Sequence, residues 1–232
     1  MQFWFDQLYA FLEKLQTEQQ FRTLKRFEKI DFISNDYLGI VKHTILHTIL
    51  QERILQKIPF GSTGSRLLTG NQPFHEEAEA YFATYFDCAD SLIANSGYDA
   101  NLAILSALPG RNDLIFYDEK VHASIKDGMR LSLANRFSVR HNDWNDLEKK
   151  IENHRKNHAK TNIFFVFESV YSMDGDIPDL QNLLIIAQKY EVILLADESH
   201  AFGVFGQNGQ GMLYAEGLHD QIRFGCLVLG KL

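Results

Sequence analysis

Acidic, imidazole and amino side chains follow apolar runs of this sequence, and together they could act on a bound coenzyme. Asp197 and His200 follow the apolar residues 192–196, and Lys231 follows the apolar residues 226–229. A buried carboxylate is costly without a partner, and an acid with an imidazole suits a cofactor that carries a basic ring nitrogen and a phenolic oxygen. For each residue alone the simpler interpretation is stronger, because an Asp often caps a turn and a Lys usually faces solvent.

Other polar groups follow further apolar runs. Ser96, Gly97 and Tyr98 precede a predicted helix, whose N-terminal N–H groups and dipole favour an anion such as a phosphate. Ser96 could equally be an ordinary helix cap. His122 follows another apolar run, although a single histidine is more often structural than catalytic. The polar residues 168–176, which include Ser172, are typical of a functional loop or of a simple turn.

These side chains need a scaffold, and short apolar runs alternate with helical patterns from residue 91 onward. We predict strands at residues 91–95, 114–117, 136–140, 163–167, 192–196 and 226–229, and helices at 98–108, 123–132, 144–157 and 180–190. Before them we predict an amphipathic helix at 1–15, a strand at 29–34 and helices at 43–56 and 73–86. This alternation indicates an α/β fold with a mainly parallel sheet flanked by helices. Functional residues of such sheets gather at the carboxyl ends of the strands.

Composition restricts the functional classes. The 232 residues carry a net charge of −7, and the absence of a basic face argues against nucleic acid. No apolar run reaches the ~18 to 20 residues needed to cross a bilayer, and the N-terminus does not resemble a secretory signal, so we expect no membrane partner and a cytoplasmic protein. Cys88 and Cys226 form no CxxC pair, so we expect two buried free thiols and no metal site.

Eight segments, in their order and spacing, resemble the α-oxoamine synthases, a family of fold-type I enzymes that depend on pyridoxal 5′-phosphate (PLP). They are NDYLG (35–39), GSTGSRLLTGN (61–71), SGYDANLAILSAL (96–108), DEKVHASIKDG (118–128), HND (141–143), ESVYSMDGDIPDL (168–180), DESHAFGVFGQNGQG (197–211) and LGK (229–231). The resemblance implies a PLP-dependent transferase fold of type I. Residues 1–45 would be an N-terminal helix and arm, and residues 46–232 an incomplete PLP-binding large domain, with the C-terminal domain absent.

The resemblance also implies roles for individual residues. Lys231 matches the lysine that binds PLP covalently and removes the substrate α-proton. Asp197 matches the acid that pairs with the pyridinium nitrogen, His200 the residue near the phenolic oxygen, and His122 the imidazole stacked on the ring. Further matches are Ser96, Gly97 and Tyr98 near the cofactor phosphate, Ser172 against the cofactor, and Arg22 for the substrate carboxylate.

The implied reaction joins an amino acid to an acyl-CoA or acyl-carrier-protein thioester, with loss of CO₂, in a homodimer. Within the family, the compact N-terminus and GSTGSRLLTGN favour the member that uses L-alanine and a pimeloyl thioester in biotin synthesis. Members that use glycine or serine are alternatives, because the whole family shares these segments. An inactive remnant that pairs with a full-length partner is the alternative from another functional class.

The sequence departs from the family pattern around the lysine. Val228 stands where the family has a threonine that binds the phosphate, and Leu232 replaces a small residue. Loss of one hydrogen bond to a charged group would cost about 1.5 to 3 kcal/mol of cofactor binding. Family members continue far beyond this lysine, so we expect a truncated or frameshifted gene, or a fragment.

Overall fold

The computed structural model describes residues 2–24, 33–55, 61–156, 158, 161–222 and 224–226, the last three by their backbone alone. The chain divides into two compact units, residues 1–34 and 35–232. In the first unit, helix α1 (Gln2–Thr17) is followed by irregular chain that carries Arg22. The predicted strand at residues 29–34 lies largely outside the described residues, and residues 33 and 34 are irregular.

Helix α1 confirms the predicted N-terminal helix. Only some of the apolar residues expected on one face of this helix are shielded from solvent. Leu8, Leu12 and Leu15 recur at helical spacing and are half-buried. Phe3 and Phe11, expected on the same stripe, are 74% and 56% exposed. No residue of α1 is fully buried, so this helix has no core of its own.

The second unit contains seven described helices and five strands. The helices are α2 (Thr44–Leu55), α3 (Pro73–Tyr85), α4 (Gly97–Ala107), α5 (Ala123–Leu131), α6 (Trp144–Arg155), α7 (Leu180–Tyr190) and α8 (Met212–Ala215). The strands are β1 (Leu114–Asp118), β2 (Asn135–Val139), β3 (Ile163–Glu168), β4 (Val192–Asp197) and β5 (Phe224–Cys226). Polar side chains cap several helix N-termini: Asp143 caps α6 and Asp179 caps α7, each by accepting a backbone N–H.

All five strands are parallel, in the order β2-β1-β3-β4-β5, which confirms the predicted sheet. Alternate residues of each strand face opposite sides of the sheet. Phe164, Val166 and Leu195 belong to a core cluster that also contains Leu105 of α4 and Ile125 of α5. The alternating strand positions belong to a larger cluster with residues of α6 and α7. This cluster includes Phe165, Phe167, Leu194, Ala196, Leu147, Ile151, Leu183 and Ile186. Burial on both faces explains the continuous apolar runs of the sequence.

Residues 91–95 do not form the predicted strand. Their polar groups are bonded to α3 instead: the Ser91 hydroxyl donates to the Glu79 carbonyl at 2.7 Å, and the Ile93 N–H donates to Glu79 Oε1 at 2.8 Å. Leu92 is 83% exposed, so the segment is not covered on both sides. The apolar pattern alone predicted a strand, but a strand also needs a neighbouring strand to pair with.

Arg66 ties the glycine-rich segment at residues 61–71 to the same carboxylate. Its guanidinium donates two hydrogen bonds to Glu79, of 2.5 Å from Nη1 and 2.8 Å from Nη2, from a turn of π-helix at Arg66–Gly70. The hydrogen bond from Arg66 lowers the pKa of Glu79 to about 2, against the effect of burial and with help from the Ile93 N–H. One carboxylate thus joins three separate segments of the chain.

Two further expectations can be compared with the described residues. Cys88 is an exposed free thiol, so the expectation that it is buried is wrong. The side chain of Cys226 lies outside the described residues. Among the described helices, none combines the length and apolar character that crossing a bilayer requires.

Candidate functional site

Asp197 lies at the carboxyl edge of the sheet, and hydrogen bonds hold both of its carboxylate oxygens. It is the last residue of β4, it is 5% exposed, and its register partner on β3 is Glu168. One carboxylate oxygen accepts hydrogen bonds from the Ser199 N–H at 2.9 Å and from the Ser199 hydroxyl. The other accepts a hydrogen bond of 2.8 Å from Asn101 Nδ2. These donors fix the orientation of both oxygens at the lip of the sheet.

Asn101 was not singled out from the sequence, although it reaches the centre of the site. It lies one turn into α4, is 5% exposed, and its amide donates to Asp197 and, at 3.0 Å, to the Ser124 hydroxyl on α5. Helices α4 and α5 approach closely because α5 carries Gly128, where an added Cβ would lie 2.8 Å from the Asn101 carbonyl oxygen. One feature of the sequence could have identified Asn101: it is a polar residue four positions after Gly97 on a mainly apolar helix.

His122 stands at the N-cap of α5 and is held from two sides. Its Nδ1 accepts a hydrogen bond of 3.2 Å from the Ser124 N–H and lies 2.8 Å from the Ser124 hydroxyl oxygen. Its backbone N–H donates to Glu168 Oε1 at 2.6 Å. The other Glu168 oxygen accepts a hydrogen bond of 3.0 Å from the Ser172 N–H. Glu168, which is 2% exposed, therefore positions the backbones of two predicted site residues.

The N-terminus of α4 opens toward the same edge of the sheet. Ser96 is its N-cap, and the Ser96 hydroxyl accepts a hydrogen bond of 3.1 Å from the Asp99 N–H, as the simpler interpretation of Ser96 requires. The Tyr98 hydroxyl donates to Asp127 on α5, and this hydrogen bond raises the pKa of Tyr98. Other N–H groups of this first turn have no helical partner and remain a potential anion site.

His200 receives a partner from a distant part of the sequence. Its Nδ1 lies 2.5 Å from the hydroxyl oxygen of Tyr37, a residue of the NDYLG segment. Burial raises the pKa of Tyr37, so the hydroxyl stays protonated near neutral pH. This contact links residues 163 positions apart, and no local sequence pattern could have predicted it.

Five of the predicted site residues line one cleft. The cleft has about 280 Å³ of empty space, and its lining residues are Gly97, Tyr98, Asn101, His122, Ser124, Glu168, Asp197, Ser199 and His200. Ser96 is next to the cleft in the chain, while Ser172 lies in the loop after β3 and is not among the lining residues. Arg22 lies in the other compact unit, and Lys231 lies outside the described residues.

The lining fits pyridoxal phosphate. A carboxylate with both oxygens fixed matches a protonated ring nitrogen, and two imidazoles, of His122 and His200, face the same space. The N-terminus of an 11-residue helix offers N–H groups and a positive dipole end to a phosphate. A charged group, a ring and an anion could thus be bound within one cleft.

Comparison with known proteins identifies a family and similar sequences within it. A sequence profile described as "Aminotransferase class I and II" matches residues 28–227. The 8-amino-7-oxononanoate synthase of Haemophilus ducreyi is 41% identical over 191 residues, which are 79% of this chain and 49% of that protein.

Solved structures agree with the sequence relatives. A serine palmitoyltransferase from S. paucimobilis, solved with a bound PLP–myriocin aldimine, superimposes with a TM-score of 0.80 at 30% identity, over 94% of this chain and 59% of that one. An 8-amino-7-oxononanoate synthase from Francisella tularensis gives a TM-score of 0.64 at 30% identity, over 85% and 51%. The chain spans about half to three fifths of the length of these relatives.

Proposed function

Because the chain belongs to the aminotransferase class I and II family, and within it to the α-oxoamine synthases, we propose that it forms part of a PLP-dependent enzyme that joins an amino acid to an acyl thioester. The single observation that carries the proposal is the fixed carboxylate of Asp197 in a cleft with two imidazoles and a helix N-terminus. The names of the similar proteins, 8-amino-7-oxononanoate synthase and serine palmitoyltransferase, support the same chemistry.

Asp197 and Lys231 act on opposite ends of the cofactor in this proposal. The Asp197 carboxylate holds a proton on the ring nitrogen, and Asn101 and Ser199 keep that carboxylate in place. The Lys231 amine binds the cofactor covalently when no substrate is present. Asp197 pairs with Cys226 across the β4–β5 register, and Lys231 follows Cys226 by five residues.

The other predicted residues bind and orient the cofactor and the substrate in this proposal. The first turn of α4, with Ser96, Gly97 and Tyr98, binds the phosphate; His122 covers one ring face, and Glu168 and Ser124 hold His122. His200 lies beside the phenolic oxygen, with Tyr37 on its Nδ1. Ser172 contacts the cofactor from the loop that Glu168 anchors, and Arg22 binds the substrate carboxylate.

The bound PLP ring supplies an electron sink for the bond that is broken at the substrate Cα. Lys231 Nζ would remove the proton from the substrate Cα. The Asp197 carboxylate, held by Asn101 and Ser199, would face the ring nitrogen. The new carbon–carbon bond would join Cα to the thioester carbonyl carbon as the C–S bond breaks, and the thiolate would take a proton from water. Loss of CO₂ would follow, and the proton held by Lys231 Nζ would return to Cα.

We further propose L-alanine and a pimeloyl thioester as the substrates, with 8-amino-7-oxononanoate as the product. The names of the sequence relatives support this choice. The serine palmitoyltransferase among the structural relatives supports serine as the alternative amino acid. Adding L-alanine, glycine and L-serine in turn to the PLP-loaded protein separates the two. A change of visible absorbance with serine or glycine and none with alanine would reverse the choice.

The cofactor proposal is tested by absorbance. Purified protein mixed with PLP should gain a visible band that persists after gel filtration, and Lys231→Ala should lose it. Lys156→Ala, an exposed lysine at the end of α6, is the matched control and should keep the band. A chain that folds but gains no band, or a band that survives Lys231→Ala, would contradict the proposal.

We also propose that the protein acts as a homodimer. The segment from residue 37 to 68 exposes many apolar side chains: Leu38 is 52%, Leu55 81%, Leu67 97% and Leu68 83% exposed. Helix α2 has no buried residue, although it contains six isoleucine and leucine residues in twelve. A large exposed apolar surface is typical of an interaction site rather than of a solvated surface.

A further inference from the structure

His141 joins the loops that follow three neighbouring strands. It lies just after β2, and its ring is held between two carboxylates from other loops. Nδ1 is 2.9 Å from Asp118 Oδ1 at the end of β1, and Nε2 is 2.8 Å from Asp176 Oδ2 in the loop after β3. The side chains of Asp118 and His141 are 1% and 15% exposed, so water competes little for the bond between them, whereas the Asp176 side chain is 37% exposed.

The geometry favours a proton on both nitrogens of this ring. An ionised carboxylate can only accept hydrogen bonds, and each ring nitrogen faces one. A proton on each nitrogen satisfies both carboxylates and makes His141 an imidazolium, with the Asn142 amide nitrogen 3.3 Å from Nε2 as a further neighbour. Burial acts to lower the pKa of His141, but the hydrogen bonds and charges of Asp118 and Asp176 outweigh it and hold this pKa above its ordinary value.

Further charged groups surround this cation, and carboxylates outnumber cations among them. The Glu119 carboxylate accepts the His141 backbone N–H at 3.1 Å, and Lys120 forms an ion pair with Asp174. The Tyr171 ring packs edge-on at 4.5 Å from the His141 ring, and burial raises the pKa of Tyr171 well above its ordinary value, so it stays neutral. Loss of the His141 proton would thus leave a carboxylate facing a ring nitrogen that has no hydrogen to donate.

The loop held by Asp176 carries Ser172. This loop, residues 169–176 and called here the Ser172 loop, closes on itself: the Tyr171 N–H donates to the Asp176 carbonyl at 3.0 Å, and the Gly175 N–H donates to the Tyr171 carbonyl at 2.8 Å. Glu168 anchors its first half through the Ser172 N–H at 3.0 Å. Asp176 anchors its second half, because Asp176 Oδ2 contacts His141 Nε2 at 2.8 Å and accepts a hydrogen bond of 2.7 Å from Asn142 Nδ2.

We propose that His141 is a positioning residue, a protonated clasp that fixes the Ser172 loop to the ends of β1 and β2 and releases it on deprotonation. The proposal rests on the proposed function in one respect, namely that Ser172 contacts the cofactor. The sign follows from the raised pKa: the clasp is complete below the ordinary pKa of histidine, about 6.5, and is lost as pH rises through the higher value of the folded state.

Hydrogen exchange of the cofactor-free protein tests the clasp. Protection factors for peptides that cover residues 169–176 should fall at least tenfold in one step as pH rises through the titration of His141. Peptides within α6 should show no such step. His141→Gln should have the low protection at every pH, and His47→Gln, an exposed histidine on α2, is the matched control and should behave like the unmodified protein.

Asp176→Asn keeps the imidazole and removes one carboxylate, so it decides the question even if His141→Gln does not fold. The step should move toward lower pH, because the imidazolium loses one of its two anionic partners. Unchanged protection in His141→Gln, or an unmoved step in Asp176→Asn, would overturn the proposal. The measurement needs no PLP, so a protein that binds no cofactor would contradict the proposed function and leave the clasp standing.

Discussion

At the scale of single residues, the candidate site depends on a carboxylate whose partners come from different elements. Asp197 could be selected from the sequence because an acid ends an apolar run. Asn101 could not, because its role depends on how α4 packs over β4 and α5. Tyr37, Ser124 and Glu168 were missed for the same reason: each acts through a partner that is distant in sequence or through a backbone group.

Asn101→Ala should weaken PLP binding without unfolding the protein. The substitution removes a hydrogen bond to a charged group, worth about 1.5 to 3 kcal/mol, so the dissociation constant should rise roughly 10- to 150-fold. Titration of the visible PLP band measures this constant, and circular dichroism verifies the fold. Asn182→Ala, an exposed asparagine on α7, should leave the constant unchanged. Equal constants for the two variants would contradict a role of Asn101 in holding Asp197.

At the scale of elements, the parallel sheet and its helices follow from the sequence because both faces of β1, β3 and β4 are buried. Continuous apolar runs then replace the alternating pattern of a half-exposed strand. The same argument failed at residues 91–95, where the apolar run is present but the backbone bonds to Glu79. Strand pairing is a property of two segments, and a pattern within one segment cannot report the second.

Glu79 joins α3 to two other segments, and its contribution to the free energy of unfolding should depend on pH. Its pKa is lowered to about 2, so its contribution to stability is present above the ordinary pKa near 4.5 and is lost as pH falls toward 2. Glu79→Gln should lower the urea midpoint at pH 7, and its difference from the unmodified protein should shrink from pH 4.5 downward. Glu77→Gln, exposed on the same helix, should not show this. A difference that is independent of pH would refute the ion pair with Arg66.

Gly128→Ala tests the close packing of α4 against α5. Helix propensity alone predicts a gain of about 0.5 to 1 kcal/mol for this change. The new Cβ would lie 2.8 Å from the Asn101 carbonyl oxygen and 3.0 Å from Leu105 Cβ, so we expect a net loss of about 1 to 3 kcal/mol of unfolding free energy. Denaturant unfolding measures it. Gly61→Ala, where an added Cβ has no atom within 4 Å, should change little, and a stabilised Gly128→Ala would show that the helices can separate.

At the scale of the whole molecule, the exposed apolar surface of the second unit predicts self-association. Leu68 is 83% exposed and belongs to the turn of π-helix that Arg66 begins. Leu68→Glu should weaken the proposed homodimer at least tenfold, measured by sedimentation equilibrium, because it places a charge in an apolar contact. Leu133→Glu, also in an exposed loop at 64%, is the control. A monomeric unmodified protein, or two variants with equal association, would contradict this role of the surface.

The register between β3 and β4 determines which mutations of β4 the protein can accept. Residues 168 and 197 are paired, and side chains alternate between the two faces along β4. Within that strand, removal of one codon upstream would place Glu198 in the position of Asp197, and insertion of one codon would place Ala196 there. Substitutions among apolar residues should therefore be accepted in residues 192–196, whereas single-codon insertions and deletions should be eliminated there and survive in the loop at 203–210.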